Sequence, residues 1–330
     1  MALIEVEHLR KTFSVAARRS GRLGALHTLL AREYREVQAV ADVSFAIEQG
    51  EMVGYLGPNG AGKSTTLKIL TGILVPTDGR IVVDGRVPYQ QRREHARHIG
   101  VVFGQRTQLW WDLPTIESFE LLRHIYRIPL ERWRANLDSF CELLELGPFL
   151  QTPVRQLSLG QRMRADLAAA LMHEPPILFL DEPTIGLDVV ARERIREFLR
   201  YLNHERGVTV ILTTHDLGDI ERLCQRVILI DHGRVIYDGA LAELRQRFGR
   251  WRTLVVDLDQ ERTDEALEVP NAEQTRREGP RVWLRFDRSA TTAAQLIGEV
   301  ARRYAIRDLT VEEPEIEAIV RDIYANGLHL

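Results

Sequence analysis

Short apolar runs punctuate the first 245 residues, and their lengths and periods define the elements. MVGYL, HIGVVF, PILFLD, VTVILTT and RVILID are nearly continuous stretches of Val, Ile, Leu and Phe. That is the pattern of strands buried on both faces. RIVVDG is a further strand candidate. Residues 2–7 instead alternate apolar and polar around Leu3, Ile4 and Val6, which predicts an edge strand, and VADVSFAI before the turn-like EQGE predicts its neighbour. Between Gln105 and Pro175 the period lengthens. TIESFELLRHIYRI, LDSFCELLEL and the series Met163, Leu167, Ala170, Leu171 repeat at helical steps.

The predicted fold is α/β with a helical subdomain inserted at about residues 105–175. Residues 14–36, arginine-rich with an amphipathic centre, read as an insertion between the first two strands. A solvated surface helix is the simplest reading of them, and contact with lipid headgroups, a partner protein or nucleic acid is the alternative. From about Trp251 the pattern changes. WRTLVVDL and RVWLRFD read as strands, and TAAQLIGEVARRY and PEIEAIVRDIY as helices. The chain therefore divides into residues 1–245 and a small α+β appendage, 246–330, in which no chemistry is visible.

Composition narrows the function classes. Of the 330 residues, 44 are basic and 47 acidic, a formal net charge of -3, so a general nucleic-acid coat is not expected. Cys141 and Cys224 form no CxxC or Cys/His cluster, which argues against a disulfide framework or zinc site and fits a reducing compartment. No run of 18 apolar residues occurs, and the first residues are too charged for a signal peptide. Only three lysines occur, Lys11, Lys63 and Lys68, so each marks a place where arginine does not stand.

One of them lies in GPNGAGKST. Gly57, Pro58, Asn59, Gly60, Ala61, Gly62, Lys63, Ser64 and Thr65 follow a strand and open a helix, the context that GxxxxGK[ST] requires. Glycines let backbone amides approach phosphate oxygens, and the helix N-terminus adds partial positive charge. Lys63 would bridge the β- and γ-phosphates of a bound nucleotide, and Ser64 would ligate Mg²⁺. ILFLDEP then sets Asp181 and Glu182 at the carboxyl end of a buried strand, where α/β sheets bind ligands. Asp181 would hold Mg²⁺ through water, and Glu182 would act as general base. These two motifs alone leave GTPases, kinases and motors open.

LSLGQR, Leu157–Arg162, narrows the choice. It resembles the LSGGQ signature of ABC ATPases, with Leu159 where the commonest pattern has glycine. VVFGQ, GLD and TTHD follow that family's order, and the resemblance covers roughly residues 1–245. It implies that Ser158, Leu159, Gly160 and Gln161 cap the γ-phosphate of ATP on the opposite subunit. It further implies that Gln105 contacts Mg²⁺ and the attacking water, that Asp188 lies at the dimer seam, and that His215 contacts the γ-phosphate. In the family an aromatic after the first strand stacks on adenine. Phe13 is the choice, with Tyr34 and Tyr55 as rivals.

The resemblance also implies two chains, a homodimer, sandwiching two Mg-ATP and driving a separately encoded permease at the cytoplasmic face of the membrane. TQLWWDLPTIESF and DEPTIGLD are similar to an exporter branch that includes sodium and drug efflux ATPases. Trp110 and Trp111 either dock a permease helix or pack under the helical subdomain. A soluble ABC ATPase acting on ribosomes, DNA or cluster assembly is the rival class, but neither a second ATPase domain nor a long coiled coil is present. A P-loop kinase or GTPase would lack LSxGQ, and no NKxD is found here.

Overall fold

A computed structural model describes residues 2–16, 34–104, 106–249, 251–259, 267–314 and 316–326. They divide into two compact units, Met1–Gly239 and Ala240–Leu330.

The first unit is built on a sheet of nine strands: β1 (Ile4–Ala16), β2 (Tyr34–Ile47), β3 (Met52–Leu56), β4 (Asp78–Val83), β5 (Ile99–Phe103), β6 (Ile177–Asp181), β7 (Thr209–Thr213), β8 (Arg226–Asp231) and β9 (Arg234–Ala240). Their spatial order is β4-β1-β2-β9-β8-β3-β7-β6-β5. The apolar runs behave as their composition dictates. β3 and β7 are buried along their whole length, and β8, β3, β7, β6 and β5 pair in parallel. Val53, Tyr55, Phe179, Ile211 and Ile228 carry this sheet's core.

The first strand corrects the sequence reading. β1 is not an edge, because it lies between β4 and β2 and pairs antiparallel with both. Its alternation records one face on the core and one in solvent, which an inner antiparallel strand shows as readily as an edge. It is also far longer than residues 2–7. The β1–β2 ladder runs on to the pair Ala16↔Tyr34, so the flanks of the expected 14–36 insertion belong to the sheet. The rest of that insertion, residues 17–33, lies outside the described residues.

Seven helices accompany this sheet among the described residues: α1 (Lys63–Leu70), α2 (Arg92–Ala96), α3 (Thr115–Tyr126), α4 (Leu130–Leu143), α5 (Leu159–Leu171), α6 (Val189–Arg206) and α7 (Leu217–Leu223). The helical subdomain is held by buried side-chain donors. Trp133 Nε1 of α4 reaches the Phe119 carbonyl at 3.1 Å, and Asn136 Nδ2 reaches that of Met172 at 3.1 Å. α5 is tied to the segment just after residue 105 by Asp166. Its Oδ1 accepts from the Thr107 hydroxyl at 2.8 Å and from the Gln108 amide at 3.1 Å.

The second unit holds α8 (Leu241–Phe248), β10 (Trp251–Leu258), β11 (Ala272–Glu278), β12 (Arg281–Asp287), α9 (Ala293–Arg303), β13 (Ile306–Glu312) and α10 (Ile316–Asn326). The strands form an antiparallel sheet, β11-β12-β10-β13. Leu254, Val256, Leu284 and Phe286 pack with Leu296 and Val300 of α9 in its core. No described helix in either unit is long and apolar enough to cross a membrane.

Candidate active site

The loop Gly57–Thr65 leaves the carboxyl end of β3 and turns directly into α1. Two of its glycines are demanded by space. A Cβ on Gly57 would lie 2.5 Å from the Ile230 carbonyl oxygen, and one on Gly62 would lie 2.6 Å from that of Ala39. Gly62 also has φ of +106°, a conformation that side-chain-bearing residues rarely adopt. The Ala61 amide bonds to the Pro58 carbonyl at 3.1 Å, and the Ala61 carbonyl accepts from Gly233 at 3.0 Å. Among the described residues, the amides of Gly60, Gly62, Lys63, Ser64 and Thr65 have no acceptor. A row of free amides at a helix N-terminus is an anion site by construction.

Lys63 is buried, and its Nζ donates to the carbonyls of Gly57 and, at 3.2 Å, Pro58. Burial pushes its pKa below the ordinary lysine value, an effect opposed by the negative charges of Glu182 and Asp181. Both carboxylates stand where β6 ends. A cavity of about 350 Å³ is lined by Ser64 and Lys68 of α1, by Phe103, Gly104 and Arg106 around the end of β5, and by Asp181 and Glu182. Asp181 Oδ1 accepts the Thr213 hydroxyl of β7 at 2.5 Å.

Glu182 carries a φ of +56°, unusual for a residue with a side chain, and its amide donates to the Thr213 carbonyl at 2.9 Å. Strain of this kind marks sites that the surrounding fold over-determines. Its Oε1 meets Nε2 of His215 at 2.8 Å. Three sequence-predicted groups, the phosphate loop, the acidic pair and the histidine, therefore converge from β3, β6 and the segment after β7. Gln105 lies outside the described residues.

The signature segment stands at the start of α5 and does not line the cavity. Ser158 caps the helix, accepting from the Gln161 amide at 3.2 Å, while Gln161 Oε1 accepts from the Ser158 amide at 2.9 Å. Gly160 packs toward Ala191, and Leu159 toward Gly186, placing the segment against the residues around Asp188. Asp188 in turn caps α6 by accepting from the Ala191 amide at 2.8 Å.

Among the aromatic candidates, Tyr55 is buried in the core, with its hydroxyl 3.3 Å from that of Thr66, so it cannot stack on a base. The Tyr34 side chain lies outside the described residues. Phe13 is half-buried on β1, opposite Val37, two residues along β2 from the Ala39 that abuts Gly62. Lys11 Nζ sits 5.0 Å from its ring. Trp110 and Trp111 are 39% and 50% exposed, so neither is packed away under the helices.

Sequence reasoning missed Lys68, Arg106 and Thr213. Lys68 stands one helical turn past Ser64, a spacing that could have flagged it. Thr213 carried no such signal, because its tie to Asp181 exists only once β6 and β7 pair.

The comparisons agree with this geometry. The ABC transporter family pattern matches residues 40–185. The ABC transporter ATP-binding protein NatA of Bacillus subtilis (strain 168) is 37% identical over 208 residues, covering 63% of this chain and 84% of that protein. The Nod factor export ATP-binding protein I of Burkholderia pseudomallei (strain K96243) is 35% identical over 283 residues, covering 86% of this chain and 92% of that one. Relatives named for import match at similar identity. A solved dimeric structure of the ATP-binding cassette MJ0796, in a post-hydrolysis state with ADP and Pi, aligns with a TM-score of 0.60 and 30% identity over 72% of this chain and 98% of that one. With a relative of such coverage and a phosphate loop, acidic pair and histidine brought together, the chain belongs to the ABC transporter family as an ATP-binding, ATP-hydrolysing protein.

Proposed function

We propose that this protein is the ATPase subunit of an ABC exporter, acting as a homodimer on a separately encoded permease from the cytoplasmic face of the membrane. Residues 1–245 handle the nucleotide, and residues 246–330 are an accessory part. The single observation that carries the reading is that Ser64, Asp181 and Glu182 line one cavity while Lys63 and His215 interact with its carboxylates.

The donor set suits Mg²⁺. The Ser64 hydroxyl and the Asp181 carboxylate are hard oxygens, and this ion keeps waters and substrate phosphates in the rest of its shell. When bound, it would neutralise charge building on the transferred phosphoryl group. The loop amides cradle the phosphates, and Lys63 moves from its carbonyl partners to the phosphate oxygens. Glu182 orients water for in-line attack, His215 holds Glu182 and contacts the γ-phosphate, and Gln105 would serve the metal and that water. Phe13 stacks on the adenine.

Ser158, Leu159, Gly160 and Gln161 act in trans, where the start of α5 offers its amides to the γ-phosphate on the partner. Asp188 lies at the seam, next to the exposed Val189 and Val190. Trp110 and Trp111 receive the permease. Support for export comes from the resemblance of TQLWWDLPTIESF to efflux ATPases and from the long match to an export protein.

The test is to tag the Glu182→Gln variant, extract membranes in mild detergent with ATP, and identify what co-purifies. A multi-span membrane protein is the expected partner. Ribosomes or DNA-repair factors without one would overturn the transport reading and leave the ATPase intact.

A further inference from the structure

Asp219 of α7 is buried to 0% exposure, yet it belongs to none of the motifs that handle nucleotide. Both of its oxygens are used. Oδ2 accepts the hydroxyl of Thr184 at 2.5 Å, and Oδ1 accepts Nε of Arg196 at 2.6 Å as well as that guanidinium's Nη2. Thr184 and Arg196 are themselves buried. A charge pair taken out of water gains little net stability, and it holds its partners in one arrangement only when every polar atom is satisfied.

The arrangement joins the segments that carry the chemistry. Thr184 stands two residues after Glu182, and Asp219 four residues after His215. Two links therefore connect the same two stretches of chain: Glu182–His215 at 2.8 Å and Thr184–Asp219 at 2.5 Å. Arg196 adds the third party, α6, which begins right after Asp188. A more exposed bond repeats the tie, from Arg192 Nη1 to Asp216 Oδ2 at 2.5 Å, and Asp216 also caps α7 by accepting from the Gly218 amide at 3.0 Å. Glu182 is held in a strained conformation, so its aim depends on what anchors the residues after it.

We infer that Thr184 and Asp219, with Arg196, are positioning residues that hold Glu182 and His215 in register for hydrolysis. The buried carboxylate is the inner lock, and the glutamate–histidine contact is the working end. The inference rests on the roles proposed above for Glu182 and His215.

The experiment measures kcat and KM for ATP on the full chain, in Thr184→Val, Thr184→Ser and His215→Ala and in the Thr184→Val/His215→Ala double variant, with Glu182→Gln alongside. Thr184→Val keeps the shape and removes the hydroxyl. It is expected to lower kcat by about tenfold or more while KM stays within about twofold. Thr184→Ser restores turnover to within about twofold of the parent. In the His215→Ala background, Thr184→Val adds less than about twofold, because the pair acts as a unit. Should Thr184→Val fail to fold, Thr184→Ala carries the same expectation.

Parental kcat in Thr184→Val, or in Thr184→Ala where that stands in for it, or the same loss with and without His215, would overturn the inference. Undiminished turnover in Glu182→Gln or His215→Ala would overturn instead the roles on which it rests.

Discussion

Gly62 illustrates how little latitude single positions in the site have. Its positive φ and the Ala39 carbonyl beside it leave no room for a methyl group. Gly62→Ala is expected to weaken nucleotide binding at least about tenfold and to cost about 1–3 kcal/mol of stability, read by fluorescent-nucleotide titration and thermal melting. Asp166 makes a second residue-scale case. Burial raises its pKa from 3.8 to about 6, against the lowering effect of hydrogen bonds from Thr107 and Gln108 and of the charge on Arg162. A carboxyl whose folded pKa lies above its unfolded value supports the fold below the unfolded value and withdraws that support as pH rises through the folded one. Asp166→Asn keeps an acceptor and removes the charge. Its melting temperature is expected to exceed the parent's at pH 7.5, by the equivalent of about 2–3 kcal/mol, with the gain vanishing near pH 4. Lys63, Ser64, Asp181, Glu182 and His215 were legible in the sequence, because their chemistry is written in contiguous motifs. Thr213 and Asp219 were not, because each matters through a partner about 32 or 35 residues away, and only pairing of strands and helices brings those together.

Helix α5 carries two jobs at its first turn. The reciprocal bonds of Ser158 and Gln161 close a capping box, so Ser158→Ala is expected to destabilise the protein by about 1 kcal/mol, apart from any effect on turnover. A thermal melt without nucleotide isolates that term. Leu159 occupies the place of the usual glycine, and its Cδ2 lies 3.0 Å from where a Gly186 Cβ would sit. Gly186→Ala is therefore expected to reduce ATP turnover, and adding Leu159→Gly to recover part of the loss, as a double-mutant cycle of steady-state rates would show. The residual comes from the backbone of Gly186, whose φ of +70° disfavours a side chain in either background. Helices α3, α4 and α5 were legible from their apolar period, and β3, β5, β6, β7 and β8 from their unbroken apolar runs. Strands β9, β11 and β13 escaped because their buried positions are sparse. β11 exposes Glu273, Thr275, Arg276 and Glu278 and has no fully buried residue, so its strand character comes from pairing with β12. β1 was recognised as a strand and misplaced as an edge, since alternation reports how many faces are buried and says nothing of how many sides are paired.

Across the whole chain, every candidate active-site residue falls within Met1–Gly239, which has its own continuous core. A fragment ending at Gly239 is expected to bind fluorescent ATP analogues within about threefold of the full chain, since its affinity is set by contacts made inside that unit. The far end of the β1–β2 ladder is a point where the connection can change at low cost. Ala16 and Tyr34 are already cross-strand partners, so whatever joins them is tethered at neighbouring points by bonds that do not depend on it. Closing a 17-residue connection in place of a two-residue turn costs only about 2 kcal/mol of chain entropy, because that cost grows with the logarithm of length. For the gene, exchanging residues 17–33 in one step is thus expected to leave the strands on either side in register, because the ladder's own pairs hold them. An Asn-Gly turn in their place would leave the phosphate loop where it is, and a foreign peptide inserted there would ride on the ATPase without having to fold with it.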